Sequence, residues 1–171
     1  MRPSKDEYYI SIAREVAKRA TCLRRRFGAV LVSKSDRIIA TGYNGAIRKA
    51  RDCLQIGRCM RDSLKIPPGE RYELCKSFHA EQNAILAADP TERKDSVLYL
   101  YGEFFDGRLF DATPCMMCRR AIVQGEIVTV KALQADGTIK VIDVRDFVAA
   151  EDNGENFPPE IRAQPGFSDY L

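Results

Sequence analysis

A chain of 171 residues, 45% hydrophobic and 30% charged, is long enough for one domain with a real core, and it has no apolar run near the ~20 residues a membrane span needs. Its 27 basic and 24 acidic residues leave a net charge of +3, which argues against a nucleic-acid partner and is compatible with a small anionic ligand at one local site. Six cysteines accompany a single histidine, and the polar N-terminus lacks the apolar centre of a secretory signal; the expected compartment is the cytoplasm, where cysteine sets bind metals or catalyse rather than form disulfide frames.

Apolar residues at Tyr9, Ile10, Ile12, Ala13, Val16, Ala17 and Ala20 predict a helix over 8–19, and Ser4 with Glu7 forms a capping box at its start. Strands are expected over 29–32 and 38–42, joined by the polar turn 33–37 into a hairpin. Segment 45–78 is polar and aperiodic and carries Cys53, Cys59 and Cys75; so long an irregular stretch inside a domain implies a function or a staple. A helix over 80–88, a strand over 97–101 and a long loop over 102–113 follow. The next helix, 115–124, is preceded by Pro114, a residue favoured at helix starts. Strands over 127–130 and 139–144 and a short helix over 146–151 complete the expected domain, 1–150. Residues 151–171 read as a polar, proline-bearing tail. Strands alternating with helices predict an α/β layered fold with a parallel or mixed sheet.

Two motifs carry chemistry, each opening a predicted helix: His79-Ala80-Glu81 and Pro114-Cys115-Met116-Met117-Cys118. Imidazole and thiolate are the donors zinc favours, and a catalytic zinc takes three protein ligands with one position left open. Cys115 and Cys118 reach one metal from a single helical turn, whose positive end favours thiolates. His79 is the third ligand by elimination, being the only imidazole in the chain. Glu81, two positions on, is expected to move protons rather than bind the metal. A His-x-Glu followed later by Pro-Cys-x-x-Cys matches the known zinc deaminase signature.

These residues, together with Gly28-Ala29-Val30-Leu31-Val32, Thr41-Gly42-Tyr43-Asn44-Gly45 and the continuation Gln82-Asn83-Ala84-Ile85, resemble the deoxycytidylate (dCMP) deaminase branch of the cytidine deaminase superfamily. Free cytidine deaminases typically have Cys where His79 stands. The resemblance implies a three-layer sandwich with a mixed five-stranded sheet flanked by helices, and a homo-oligomer. It implies hydrolysis of dCMP, with CMP as a second candidate substrate: attack at C4 of cytosine, Glu81 protonating N3 and then the leaving amine. It further implies that the Ala80 N–H holds the ring and Asn44 contacts the sugar–phosphate side. A 5′-phosphate needs cations, and Arg24, Arg25 and Arg26 precede the first expected strand; Arg26, abutting it, is the expected contact. In the 102–113 loop, Glu103, Phe104, Phe105, Asp106, Phe110 and Asp111 are expected to wall the pocket.

Cys22, Cys53, Cys59 and Cys75 remain, the number a closed structural zinc takes. Some dCMP deaminases carry such an extra zinc, so a second ion on these four thiolates is expected. Two alternatives stay open. One keeps the chemistry on another cytosine or adenine substrate: a nucleoside, a biosynthetic intermediate or tRNA. The other is a non-enzymatic, zinc-stapled nucleotide-sensing or DNA-uptake module.

Overall fold

The computed structural model describes residues 2–169; Met1 of the expected domain and Tyr170 and Leu171 of the expected tail lie outside the described residues. The Glu7 N–H donates to Ser4 Oγ at 3.2 Å and the Ser4 N–H to the Glu7 carboxylate at 2.7 Å, so the capping box opens α1 (Lys5–Ala17). The hairpin follows as β1 (Arg25–Val32) and β2 (Ile38–Tyr43). Segment 45–78 holds β3 (Gly45–Ala46), α2 (Cys53–Ile56), α3 (Met60–Ser63), a 3₁₀ turn at Tyr72–Leu74 and β4 (Ser77–Phe78). Then come α4 (Ala80–Ala87), α5 (Pro90–Arg93), β5 (Val97–Phe104), α6 (Met116–Gln124), β6 (Thr129–Leu133), β7 (Ile139–Asp143), α7 (Arg145–Asp152) and α8 (Pro159–Arg162).

The main sheet has the order β2-β1-β5-β6-β7, with β5 and β6 parallel and every other neighbouring pair antiparallel. Successive strand residues point to opposite faces. Val30, Val32, Tyr99 and Tyr101 therefore pack with Tyr9, Ile10, Ala13 and Ala17 of α1 on one face. Ala29, Leu31, Leu98 and Leu100 pack on the other with Ala84 of α4, Ile122 of α6 and Phe147 of α7. This is the expected three-layer α/β sandwich with a mixed sheet.

Two glycines in the hairpin let helices touch the sheet backbone. A Cβ on Gly28 would sit 1.9 Å from the Ala13 carbonyl oxygen of α1, and one on Gly42 would sit 2.2 Å from the Ala80 oxygen and 2.4 Å from the Ala84 nitrogen of α4. No side-chain rotation relieves a clash with helix backbone. Gly42→Ala is expected to destabilise the protein by about 3 kcal/mol, at the high end of overpacking. For a chain of this size that lowers Tm by about 6–12 °C. A thermal melt within 2 °C of wild type would contradict the close approach of α4.

Three expectations change. β1 begins at Arg25 and β5 runs on to Phe104, because the two strands pair along their whole length, Arg25 opposite Phe104. The aperiodic segment contains helices of a single turn; Asp52 and Gln55 form a capping box on α2, and Gly57 at φ 76 ends it. The C-terminal segment is not extended: α8 lies within it, Phe157 and Phe167 meet at 5.4 Å between ring centroids, and Asn156 accepts a hydrogen bond from Arg119 at 2.9 Å. No helix among the described residues is long and apolar enough to cross a membrane.

Candidate functional site

The first turns of α4 and α6 lie against each other below the sheet. His79 is the N-cap of α4, Cys115 is the N-cap of α6, and Cys118 lies inside the first turn of α6. His79 Nδ1 is 3.5 Å from Cys115 Sγ and 3.2 Å from Cys118 Sγ, and the three donor atoms all lie within 4.8 Å of one another. Two thiol sulfurs and one imidazole nitrogen at this spacing fit zinc. Among the described residues no fourth donor belongs to the group.

The backbone around the trio is braced. Gln82 accepts the His79 N–H through Oε1 at 3.3 Å, and Asn83 Nδ2 donates to the Tyr43 carbonyl at 2.7 Å, tying α4 to the end of β2. Arg119 Nε donates to the Pro114 carbonyl at 3.1 Å, directly before Cys115, while its guanidinium sits over the Phe147 ring at 5.3 Å. With the Asn156 contact, the C-terminal segment thus buttresses the turn that carries the cysteines.

Electrostatics at the trio are coupled. A hydrogen bond with Cys118 lowers the Cys115 thiol to about 4, helped by His79, while the same bond and burial push Cys118 upward. A metal takes both sulfurs as thiolates, so binding one here would release protons. Burial works against the His79 imidazolium, but the hydrogen bond to Cys115 and the Glu81 charge leave its pKa raised. Glu81, 8% exposed at the second position of α4, is raised by burial, which the His79 charge partly offsets. A buried carboxyl held above its ordinary range keeps a proton more readily than a solvated one, as a group that carries protons must.

These groups open onto a cavity of about 450 Å³. His79, Ala80, Glu81 and Cys115 line it together with Asn44, Asp111, Thr113 and the Phe27 and Phe110 rings, which meet edge-on at 5.9 Å. Ala80 begins α4, where backbone N–H groups lack intrahelical acceptors. Asn44 is buried; its Oδ1 accepts the Phe27 N–H at 2.7 Å and its Nδ2 donates to the Arg25 carbonyl at 3.0 Å. The amide therefore fixes the start of β1 and keeps one further N–H for the cavity.

Arg26 is not brought to the cavity. Its Nη1 lies 3.4 Å from Glu103, its guanidinium stacks on Phe105 at 4.4 Å, and Glu103 also accepts from the Tyr101 hydroxyl at 2.8 Å. Because β1 begins at Arg25, strand alternation sends Arg25 and Phe27 to the cavity and Arg26 to the opposite face. Of the loop residues expected to wall the pocket, Phe110 and Asp111 do so, whereas Glu103, Phe104, Phe105 and Asp106 do not. Cys22, Cys53, Cys59 and Cys75 all line the cavity but are not gathered to ligand spacing as the trio is. Burial raises Cys53 and Cys75; the Ser77 N–H, 3.4 Å from Cys75 Sγ, acts the other way on Cys75.

Sequence reasoning missed Arg61 and Tyr72, both from segment 45–78, and Arg119. The Tyr72 ring meets the His79 ring edge-on at 5.2 Å, and the Arg61 guanidinium lies 4.7 Å from the Tyr72 centroid. No periodicity marks either residue. Only the position of Arg61 beside Cys59 gave a signal.

The family model described as the cytidine and deoxycytidylate deaminase zinc-binding region matches residues 3–134. The deoxycytidylate deaminase of Schizosaccharomyces pombe is 40% identical over 123 residues, covering 72% of this chain and 35% of that protein, so this chain spans about a third of the fungal relative's length. The deoxycytidylate deaminase of Mycobacterium phage D29 is 35% identical over 130 residues, covering 74% of this chain and 91% of the phage protein. The crystal structure of dCMP deaminase from the cyanophage S-TIM5 in apo form is similar in fold, with a TM-score of 0.51 at 24% identity, covering 76% of this chain and 82% of that one.

Proposed function

The chain belongs to the cytidine and deoxycytidylate deaminase family, and we propose that it deaminates dCMP hydrolytically to dUMP and ammonia, with CMP as a second candidate substrate. One observation carries this reading: among the described residues three protein donors, not four, converge beside a buried carboxylate, and His79, Cys115 and Glu81 line the cavity. A structural zinc closes its coordination with four protein ligands and has no use for such a carboxylate. Deoxycytidylate deaminases of Schizosaccharomyces pombe and Mycobacterium phage D29 are among this chain's relatives.

In this reading His79 Nδ1, Cys115 Sγ and Cys118 Sγ would hold zinc, which would supply a Lewis acid that makes water nucleophilic at neutral pH. With zinc held there, Glu81 would take a proton from the attacking water and deliver it to N3 of the cytosine as the hydroxyl adds to C4, and would then carry the C4 hydroxyl proton to the amine, which leaves as ammonia. The Ala80 N–H holds the ring against rotation, and Asn44 offers its remaining amide N–H to the sugar. Phe27 and Phe110 exclude water from one side of the ring. Six cysteines without a disulfide support the cytoplasmic placement. Exposed Leu86 on α4 and Met117 on α6 are the apolar side chains a homo-oligomer would cover.

An ammonia-release assay across dCMP, CMP, dCTP, deoxycytidine, cytosine and AMP tests the substrate. Release from dCMP well above the others is expected; release from AMP alone, or from none, would overturn the reading.

The second, structural zinc belongs to the same proposal. Cys22, Cys53, Cys59 and Cys75 line one cavity, and the backbone N–H groups of Arg24 and Ser77 lie 3.4 Å from the Cys22 and Cys75 sulfurs. Freshly purified protein is expected to carry about two zinc equivalents per chain, and Cys53→Ser about one. One equivalent in the wild type would remove the second site.

A further inference from the structure

Arg61 is 6% exposed and has no ion-pair partner among the described residues. Its Nε is buried without any hydrogen-bond acceptor, while Nη2 donates to the Pro67 carbonyl at 2.6 Å. The neighbouring Asp62 is taken by Arg24 at 3.2 Å. A guanidinium out of water with one neutral acceptor is costly, and such charges are normally matched by an opposite charge. Arg25 faces the same cavity. It is half-buried, seated 3.8 Å from the Phe110 centroid, without an ion-pair partner among the described residues, and close enough to Arg61 to be repelled by it. Two arginines without an ion pair among the described residues, lining the cavity that Glu81 also lines, call for a ligand with two negative charges.

We propose that Arg61 and Arg25 clamp the phosphate monoester of the substrate, and that Arg61, supplied by the segment between β2 and α4, is the residue that selects a nucleotide over a nucleoside. The inference rests on the deaminase reading above and deepens it. A guanidinium fork matches phosphate oxygens in pairs, and the unsatisfied Nε of Arg61 is the donor such a contact would use. Tyr72, packed between Arg61 and the His79 ring, sets the separation between the phosphate and the reacting end of the base. The competing anion is the thiolate group of Cys22, Cys59 and Cys75 with a bound zinc, for which Arg61 would be only a counter-charge.

The test uses the zinc-loaded full chain. Initial rates with dCMP and with deoxycytidine are compared for the wild type, Arg61→Gln, Arg61→Lys and Arg25→Gln. Zinc content is measured on every sample, and inorganic phosphate serves as competitor. For Arg61→Gln the ratio of kcat/KM for dCMP over deoxycytidine is expected to fall roughly 10- to 100-fold, mainly through KM for dCMP. Inhibition by phosphate should weaken with it, and Arg61→Lys should recover part of both. Arg25→Gln, at a more open position, should shift the ratio in the same direction even if Arg61→Gln folds poorly. Equal loss on both substrates, or loss that tracks zinc content, would assign Arg61 to the thiolates and overturn the clamp. A wild type that releases ammonia from neither substrate would remove the deaminase reading; calorimetric binding of inorganic phosphate, present in the wild type and weakened in Arg61→Gln, would still judge the clamp.

Discussion

Glu81→Gln is expected to reduce turnover of dCMP by on the order of 10⁴-fold, the upper end for general acid–base catalysis, because one carboxylate moves the proton at more than one step. The amide is nearly isosteric, so the packing of the first turn of α4 against Gly42 is undisturbed. Burial already disfavours the Glu81 charge, so its removal should not lower stability. The trio loses no donor, because Glu81 is not among the atoms gathered at His79, Cys115 and Cys118. The expected result is full zinc content, a melting temperature at least equal to wild type, and almost no activity. Activity above a tenth of wild type in a zinc-replete sample would remove Glu81 from the proton-transfer role. Loss of zinc together with activity would make it a ligand or a support instead.

Cys118→Ala is expected to have the second large effect, on stability as well as rate. Cys118 is fully buried inside the first turn of α6, and it is the donor nearest His79 Nδ1, at 3.2 Å. Removing it leaves two donors and opens a cavity where α6 meets α4. A ligand present at about 1,000 times its Kd stabilises the folded state by about 4 kcal/mol. For a chain of this length that corresponds to about 8–16 °C in Tm. The variant should therefore melt at least that far below zinc-loaded wild type, carry one zinc fewer and show no detectable turnover. Wild type stripped by a chelator should approach the melting temperature of the variant. An unchanged zinc content in Cys118→Ala would separate the metal from this helix.

Much of the fold was readable because burial writes a period into the sequence. The α1 stripe and the Ser4–Glu7 capping box are visible in the residues alone, and Ala29-Val30-Leu31-Val32 reads as the buried half of β1. The outer half does not: Arg25-Arg26-Phe27-Gly28 has no apolar run, and only pairing with β5 makes it a strand. That boundary decided the arginines. With the strand begun at Ala29, Arg26 is the residue nearest the site; with it begun at Arg25, alternation turns Arg26 toward Glu103. In segment 45–78 the elements are one-turn helices and two-residue strands, too short for a period to appear. Arg61, the residue proposed to bind phosphate, stands out by its buried Nε without an acceptor, and a lack of that kind leaves little trace in the sequence. The donors themselves were legible because one histidine and one Pro-Cys-x-x-Cys left few choices. Their convergence depends on α4 and α6 starting at the same level, which only the assembled layers reveal.

Anomalous diffraction at the zinc edge from crystals of the zinc-loaded protein addresses the metal centre without reference to rate. A peak seated on His79 Nδ1, Cys115 Sγ and Cys118 Sγ, with no fourth protein atom bound and the Glu81 carboxylate within a hydrogen bond of the open position, is the expected map. A peak elsewhere, or an ion at this position closed by a fourth side chain, would contradict the assignment of a hydrolytic centre to these residues.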